Sequence, residues 1–378
     1  MRIGIDCRCA VEPRPRGTGR YVENLTRHLA GIDKENEYMF YVHRAHNLNR
    51  LPHQHNTRVR IIPLQIYPLW EQILLPLYGR VDGLDVLHSA GTTGPLFLSG
   101  SIGYVATIHD VSFLLPEQIM PKPVLAYQRL GRIYRRLVVP RVARRAVRII
   151  TVSRYTCGEI VRMTGISPAK TRVIYHGLTM DNTIDIPNEG VGIRDLPTYY
   201  MLCLGGDAPH KNTERVVRVF ISLAALGRNG GCELVILGVQ KPRASSSWRQ
   251  AMSSSCARQI HFIEFIRDQS ELAEVYQRAL FVLSASLNES FGLPALEAMS
   301  CGVPVITSNV GAIPEVVGQA AMLIDPHSDI CMEQAILAML HDADLRQKFI
   351  ARGYERITGF SWQRAAEDTL NVYSEVAA

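Results

Sequence analysis

The sequence predicts an α/β protein built from two parallel-sheet domains, and three observations lead there. Short runs of Val, Ile, Leu, Tyr and Phe alternate with helix-like patterns in both halves of the chain, the mark of parallel sheets with crossover helices. A length of 378 residues suits two domains better than one, and a hydrophobic fraction of 47% allows sizeable cores. Between the halves, residues 178–197 are polar and rich in Asp, Asn, Gly and Pro, which reads as a linker.

In the first half, strands are expected at residues 2–6, 38–42, 59–62, 86–88, 104–108, 148–152 and 172–175. The second half starts again at residues 199–204 and continues through 233–237, 260–262, 281–283, 305–307 and 322–324. Residues 361–376 carry apolar positions at helical spacing and form a closing helix. The expected domains are residues 1–180 and 181–360.

Composition narrows the function classes. Eight scattered cysteines without a Cys-x-x-Cys pair suit a reduced, cytoplasmic protein rather than a disulfide framework. The first residues run straight into a strand, leaving no room for a signal peptide, and no apolar run approaches the roughly 18 residues of a spanning helix. Charge is uneven: residues 1–180 hold 25 Lys and Arg against 12 Asp and Glu, and residues 181–378 hold 16 against 23. A basic half points to an acidic substrate, an anionic membrane or nucleic acid, and the last is set aside because no aromatic stacking module accompanies it.

The most informative string is Asn288-Glu289-Ser290-Phe291-Gly292-Leu293-Pro294-Ala295-Leu296-Glu297. A strand pattern precedes it, and Pro294 fits the first helical position, where its missing N–H costs nothing. The amides of Phe291, Gly292 and Leu293 would then converge at a positive helix end, a seat for phosphate. Carboxylates on either side suit hydroxyl groups rather than an anion, so the ligand expected is a nucleotide-sugar. This string resembles the signature of the retaining glycosyltransferases of family four, nearest to bacterial mannosyl- and rhamnosyltransferases of polysaccharide assembly. The resemblance implies the GT-B fold, two Rossmann-like domains facing a cleft, with the closing helix (residues 361–378) crossing back onto the first domain. It also implies that Glu297 holds the donor ribose and Glu289 contacts the donor sugar.

Other strings extend the resemblance. Gly17-Thr18-Gly19 makes a poor dinucleotide fingerprint and has a plain turn as its alternative reading, but the family places a glycine-rich loop over the donor diphosphate here. His109 ends an apolar strand; a lone His there is as readily structural, while the string Thr-Ile-His-Asp is similar to the family motif whose His approaches the donor sugar. Asp110 is expected to hold the local turn. Lys211 falls where the family sets basic groups on the diphosphate, His210 stands where Arg is usual, and Asn212 is either a cap or a ligand. Glu315, after Ser308-Asn309-Val310-Gly311, is either near the donor or an ordinary helix start. Asp268 reads first as a helix cap and second as a partner for guanine. Asp342-Ala343-Asp344 reads as a cap, so no metal and no other cofactor is expected.

Residues 127–148 hold eight arginines, Arg129, Arg132, Arg135, Arg136, Arg141, Arg144, Arg145 and Arg148. They alternate with Leu130, Ile133, Tyr134, Leu137, Val138, Val142 and Val147 at helical spacing. The apolar side is expected to face the core. The arginine side is either a solvated face or a patch for anionic lipid.

The resulting expectation is a cytoplasmic, metal-independent, retaining hexosyltransferase, peripheral on the inner membrane face. Its first domain binds a saccharide acceptor that is lipid-linked, and its second a nucleotide-sugar, with GDP-mannose as first choice. Two rivals remain open: a sugar-nucleotide epimerase of the same architecture, and a non-catalytic partner protein with a degraded cleft.

Overall fold

The structure is a computed structural model and describes residues 1–13, 15, 17–115, 126–178, 196–206, 208–239, 253–266 and 268–377. Most of the expected linker, and Asp207, lie outside the described residues. In chain order the elements begin β1 (Arg2–Asp6), α1 (Gly17–Ile32), β2 (Glu37–Val42) and β3 (Thr57–Ile61). Helix α2 follows as Tyr67–Leu69 and Leu75–Val81, continuous through a wide π-type turn, Trp70–Leu74. Then come β4 (Val86–Ser89), β5 (Gly103–Ile108), α3 (Ala126–Arg145), β6 (Arg148–Thr151), α4 (Arg154–Thr164) and β7 (Thr171–Val173). The second half runs β8 (Tyr200–Leu204), α5 (Thr213–Ala225), β9 (Glu233–Leu237), β10 (Ile260–Ile263), α6 (Gln269–Gln277), β11 (Phe281–Ser284) and α7 (Leu293–Ser300). It continues with β12 (Val305–Ser308), α8 (Ile313–Val317), β13 (Met322–Ile324), α9 (Asp329–His341) and α10 (Ala343–Ile357), and the chain closes with α11 (Trp362–Ala377).

The chain divides into two compact units, Met1–Thr179 with Phe360–Ala378, and Met180–Gly359. The first unit has a parallel sheet in the order β3-β2-β1-β4-β5-β6-β7, and the second one in the order β10-β9-β8-β11-β12-β13. Their central strands are buried on both faces, so Tyr200–Leu204 and Val86–Ser89 lack the polar alternation of a half-exposed strand. In each sheet the strand order reverses beside the first strand, between β1 and β4 and between β8 and β11. Ligands of open parallel sheets bind outside the carboxyl ends of strands at such a reversal.

Helix α11 belongs to the first unit because its apolar spacing matches that sheet. Trp362, Ala365, Ala366, Thr369, Val372 and Tyr373 are buried, most of them within the core of Ile3, Ile5 and Val105. A polar network pins it: the Tyr373 hydroxyl lies 2.7 Å from His88 Nδ1, and Glu375 accepts from Arg148 and Arg172 at 2.7 Å each.

The face expected of α3 is reversed over its first half. Val138 and Val142 are in the core, but Leu130, Ile133 and Leu137 are 68%, 54% and 54% exposed. Arg132 is buried instead, and Arg132 and Arg136 both donate to the carbonyls of Phe113 and Leu115. Those carbonyls belong to a short turn against the helix and need donors, which a guanidinium fork supplies two at a time. Two members of the expected patch are thereby engaged in holding a loop.

Candidate active site

In the second unit the loops after β8 and β11 meet at the reversal of strand order. A single 3-10 turn, Pro209–Lys211, follows β8, and the Leu287 amide donates to the His210 carbonyl at 2.7 Å, tying the two loops. This sets Lys211 Nζ 2.6 Å from Glu289 Oε1, which also accepts from Ser286 Oγ at 2.9 Å. Both members of the pair are only partly buried, with side chains 28% and 19% exposed, so a ligand can reach them. Glu289 is held from behind by its own backbone, whose carbonyl accepts from the Ala312 amide at 2.9 Å. Gly311 makes that approach possible: its φ is 62°, and a Cβ there would sit 2.3 Å from the Glu289 carbonyl oxygen.

Helix α7 begins at Leu293, so Pro294 occupies its second position rather than the first, still where no N–H is needed. Gly292 precedes it at φ 100°, in the left-handed region that favours glycine, and the buried Phe291 anchors the turn. The amides of Gly292 and Leu293 thus lie at the positive end of α7, which suits phosphate. Glu297, one turn further, accepts from the Tyr276 hydroxyl at 3.3 Å. Ser286 and Tyr276, which orient the two glutamates, had no signal in the sequence beyond being polar near a strand or helix end.

The ambiguous motifs resolve by geometry. Asp268 caps α6, accepting from the Ser270 and Glu271 amides at 2.8 and 3.1 Å, and these bonds, led by that from the Ser270 hydroxyl, lower its pKa. Asp342 caps α10 by accepting from the Leu345 amide, and among the described residues no group of His, Cys, Asp and Glu is arranged to hold a metal. Asn212 is no side-chain cap; it donates to the Pro326 carbonyl at 2.8 Å. Glu315 lies in the first turn of α8.

In the first unit, His109 follows β5 and is 7% exposed, edge-on to the Tyr21 ring at 4.7 Å. Its Nε2 donates to the Ala90 carbonyl at 2.9 Å, which leaves Nδ1 as the lone-pair nitrogen of a neutral ring. Burial lowers its pKa, against smaller opposing effects of that hydrogen bond and of Asp110. The ring is therefore an acceptor for a hydroxyl rather than a cation. Asp110 holds the local turn by accepting from Ser112. Gly17 and Gly19 lie within the first turn of α1 rather than in an open loop. A Cβ at Gly19 would meet the Cys9 carbonyl at 2.4 Å, so packing of the helix start against the chain explains this glycine, whereas Gly17 faces open space.

A second cluster, unforeseen in the sequence, sits at the reversal between β1 and β4. Arg8 is sandwiched between the rings of Tyr67 and Trp70, 4.2 and 4.0 Å from their centroids. It bonds Asp6 at 2.6 Å and Glu71 at 3.0 Å, and Glu71 is satisfied further by Thr93 and Tyr134 at 2.6 Å each. A cavity of about 320 Å³ opens beside it, bordered by Asp6, Arg8, Glu12, His43, Arg44 and Tyr67. Asp6-x-Arg8 at the end of a first parallel strand was the available clue.

Comparison with known proteins gives the chain its relatives. Residues 15–182 match the family described as Glycosyltransferase Family 4, and residues 192–356 match Glycosyl transferases group 1. The chain is thus built of a family-four and a group 1 glycosyltransferase domain, and its two α/β units have the GT-B fold. Among relatives, it is 28% identical over 275 residues to O-antigen chain mannosyltransferase B of Escherichia coli, covering 71% of this chain and 69% of that protein. A D-inositol 3-phosphate glycosyltransferase of Salinispora tropica is 24% identical over 318 residues, covering 78% of this chain and 64% of that one. Among solved structures, Anabaena HepE in complex with UDP-glucose superposes with a TM-score of 0.72 at 16% identity, covering 99% of this chain and 100% of that chain. Among the described residues no helix is long and apolar enough to cross a membrane.

Proposed function

We propose that this glycosyltransferase moves a hexose from a nucleotide-sugar, first choice GDP-mannose, to a saccharide acceptor in polysaccharide assembly, with retention at the anomeric carbon. The observation that carries the reading is the charge pair of Lys211 and Glu289 beside the amino end of α7, with Glu297 one turn along. Lys211 lies on the diphosphate and stabilises the charge that grows as the glycosidic bond breaks. Glu289 then accepts from donor-sugar hydroxyls and Glu297 from the ribose. The departing diphosphate itself takes the acceptor proton, so the protein supplies position and electrostatics rather than covalent chemistry. His109 accepts a sugar hydroxyl at Nδ1, and His210 adds a second contact to the diphosphate. No resident metal is needed.

The second unit holds the donor and the first the acceptor, which is a lipid-linked saccharide. The acceptor's seat is the cavity beside Arg8, because it opens at the first sheet's own reversal of strand order. The mannosyltransferase of Escherichia coli supports mannose, while the UDP-glucose complex of HepE makes a uridine donor the competing case.

Thermal shifts with UDP-, GDP- and dTDP-sugars, followed by turnover with saccharide acceptors in the presence of EDTA, test the reading. Stabilisation by GDP-mannose and an α-linked product are expected. Conversion of the donor without acceptor would favour an epimerase, and no turnover with any donor a non-catalytic partner. Arg44→Ala should raise the acceptor KM while leaving the donor KM unchanged; an unchanged acceptor KM removes the cavity from the assignment.

A further inference from the structure

Two helices of the first unit leave rows of large apolar side chains open. On α2, Leu69, Ile73, Leu77 and Val81 stand four apart and are 44%, 55%, 53% and 69% exposed. On α3, Leu130, Ile133 and Leu137 are at least half exposed. The helices adjoin through Tyr134, whose ring is 5.5 Å from that of Tyr67 and whose hydroxyl is bonded by Gln72 at 2.8 Å. At the end of α3 Phe97, 70% exposed, lies under the guanidinium of Arg145, 5.0 Å from its ring. Monomeric proteins seldom expose apolar patches of more than a few hundred Å², and larger ones mark an interaction.

Charge identifies the partner. Helix α3 carries seven arginines and no acidic residue, and the one carboxylate within α2, Glu71, is fully buried and bonded to Arg8, Thr93 and Tyr134. Among the described residues of these two helices the exposed charges, Arg80, Arg141 and Arg145 among them, are therefore all basic. A second copy of this face would bring like charges together across a two-fold axis. We infer that the face docks on an anionic lipid bilayer, with Leu69, Ile73, Leu77, Leu130 and Ile133 inserted at the boundary of headgroups and acyl chains and the arginines among the headgroups. This differs from a purely electrostatic patch: the apolar rows themselves enter the interface, so part of the attraction outlasts salt. Tyr67 stands both on α2 and at the rim of the cavity beside Arg8, so a bilayer here brings membrane-borne molecules to its mouth.

The test is co-sedimentation of the full chain with vesicles of phosphatidylglycerol in phosphatidylcholine, or of phosphatidylcholine alone. It requires neither donor nor acceptor, so it stands apart from whether a hexose is transferred. Strong binding to the anionic vesicles is expected, falling as salt rises from about 0.1 M to about 1 M, where the screening length is about 3 Å, towards the weak, salt-independent binding expected on phosphatidylcholine alone. Ile73→Asn with Leu130→Asn should lower the partition by about tenfold or more at an unchanged melting temperature. Leu77→Asn with Ile133→Asn serves as an independent pair should the first fail to fold. Wild type that ignores anionic vesicles, or variants that partition like wild type, would overturn the inference. So would a dimer in light scattering that the same substitutions convert to monomer, since a second copy would then cover the face.

Discussion

Because Lys211 and Glu289 already neutralise each other at 2.6 Å, removing either charge changes what the other can do. Glu289→Gln frees the ammonium, so affinity for the free nucleoside diphosphate should be kept or improved while turnover falls by about tenfold or more. On the proposed reading, Glu297→Gln removes a charged acceptor from the ribose and should weaken that same affinity by about tenfold, the worth of a hydrogen bond to a charged group at roughly 1.5–3 kcal/mol. Calorimetric titration with the diphosphate, set beside turnover, separates the two; equal losses in both variants would show that the glutamates do not divide their roles. The two glutamates were legible in the sequence because one turn and one helix start carry both, with seven residues between them. Asp6, Arg8 and Glu71 were not, since Glu71 reaches Arg8 across 63 positions and only the sheet's folding brings them together.

At the level of elements, the glycines around α7 set where its charged neighbours stand. Gly311 and Gly292 both take positive φ, but a methyl group has different consequences at each. At Gly292 it meets the Cδ1 of Ile313 at 2.5 Å, the end of a flexible side chain, whereas at Gly311 it meets the Glu289 backbone at 2.3 Å. Gly311→Ala should therefore displace Glu289 and reduce turnover by about a hundredfold, the scale of a misplacement of about 1 Å. Gly292→Ala should act mainly on stability, by about 1–2 kcal/mol for an alanine held in the left-handed region. Steady-state kinetics and melting temperatures of the pair check this, and equal kinetic damage would refute the distinction. Strands were the most legible elements: residues 2–6, 233–237 and 322–324 were expected and found over the same spans. A strand in a parallel sheet is mostly apolar, so short Val-, Ile- and Leu-rich runs stand out in the sequence. A helix is harder, because its facing depends on what covers it. The apolar and basic rows of α3 were plain in the sequence, yet only the Phe113 and Leu115 carbonyls decide that Arg132 turns in and Leu130 turns out.

For the molecule as a whole, acid should act first on the unit that α11 completes. His88 is fully buried between the Tyr373 hydroxyl of α11 and the Thr107 hydroxyl of β5, 2.7 Å from each, and burial, aided by nearby His109, pushes its pKa down to about 3. Burial also lowers His109 and, strongly, His176. Unfolded, these rings titrate near 6.5, so below that pH the unfolded chain binds protons that the folded unit refuses. Stability from this source is complete above about pH 6.5 and declines as pH falls towards 3, by on the order of a few kcal/mol for His88 alone. Glu375, lowered chiefly by its hydrogen bonds to Arg148 and Arg172, works in the same direction but only once pH falls below the ordinary range near 4.3. Melting followed by tryptophan fluorescence, in a Trp248→Phe background, reads this unit through Trp70 and Trp362, both buried in it. The melting temperature should drop between about pH 6.5 and 4.5, before carboxylates contribute. His88→Gln keeps an acceptor and a donor for the two hydroxyls without titrating, so it should flatten that slope even if it lowers stability at pH 7. A slope equal to that of wild type would mean that His88 does not couple α11 to protons.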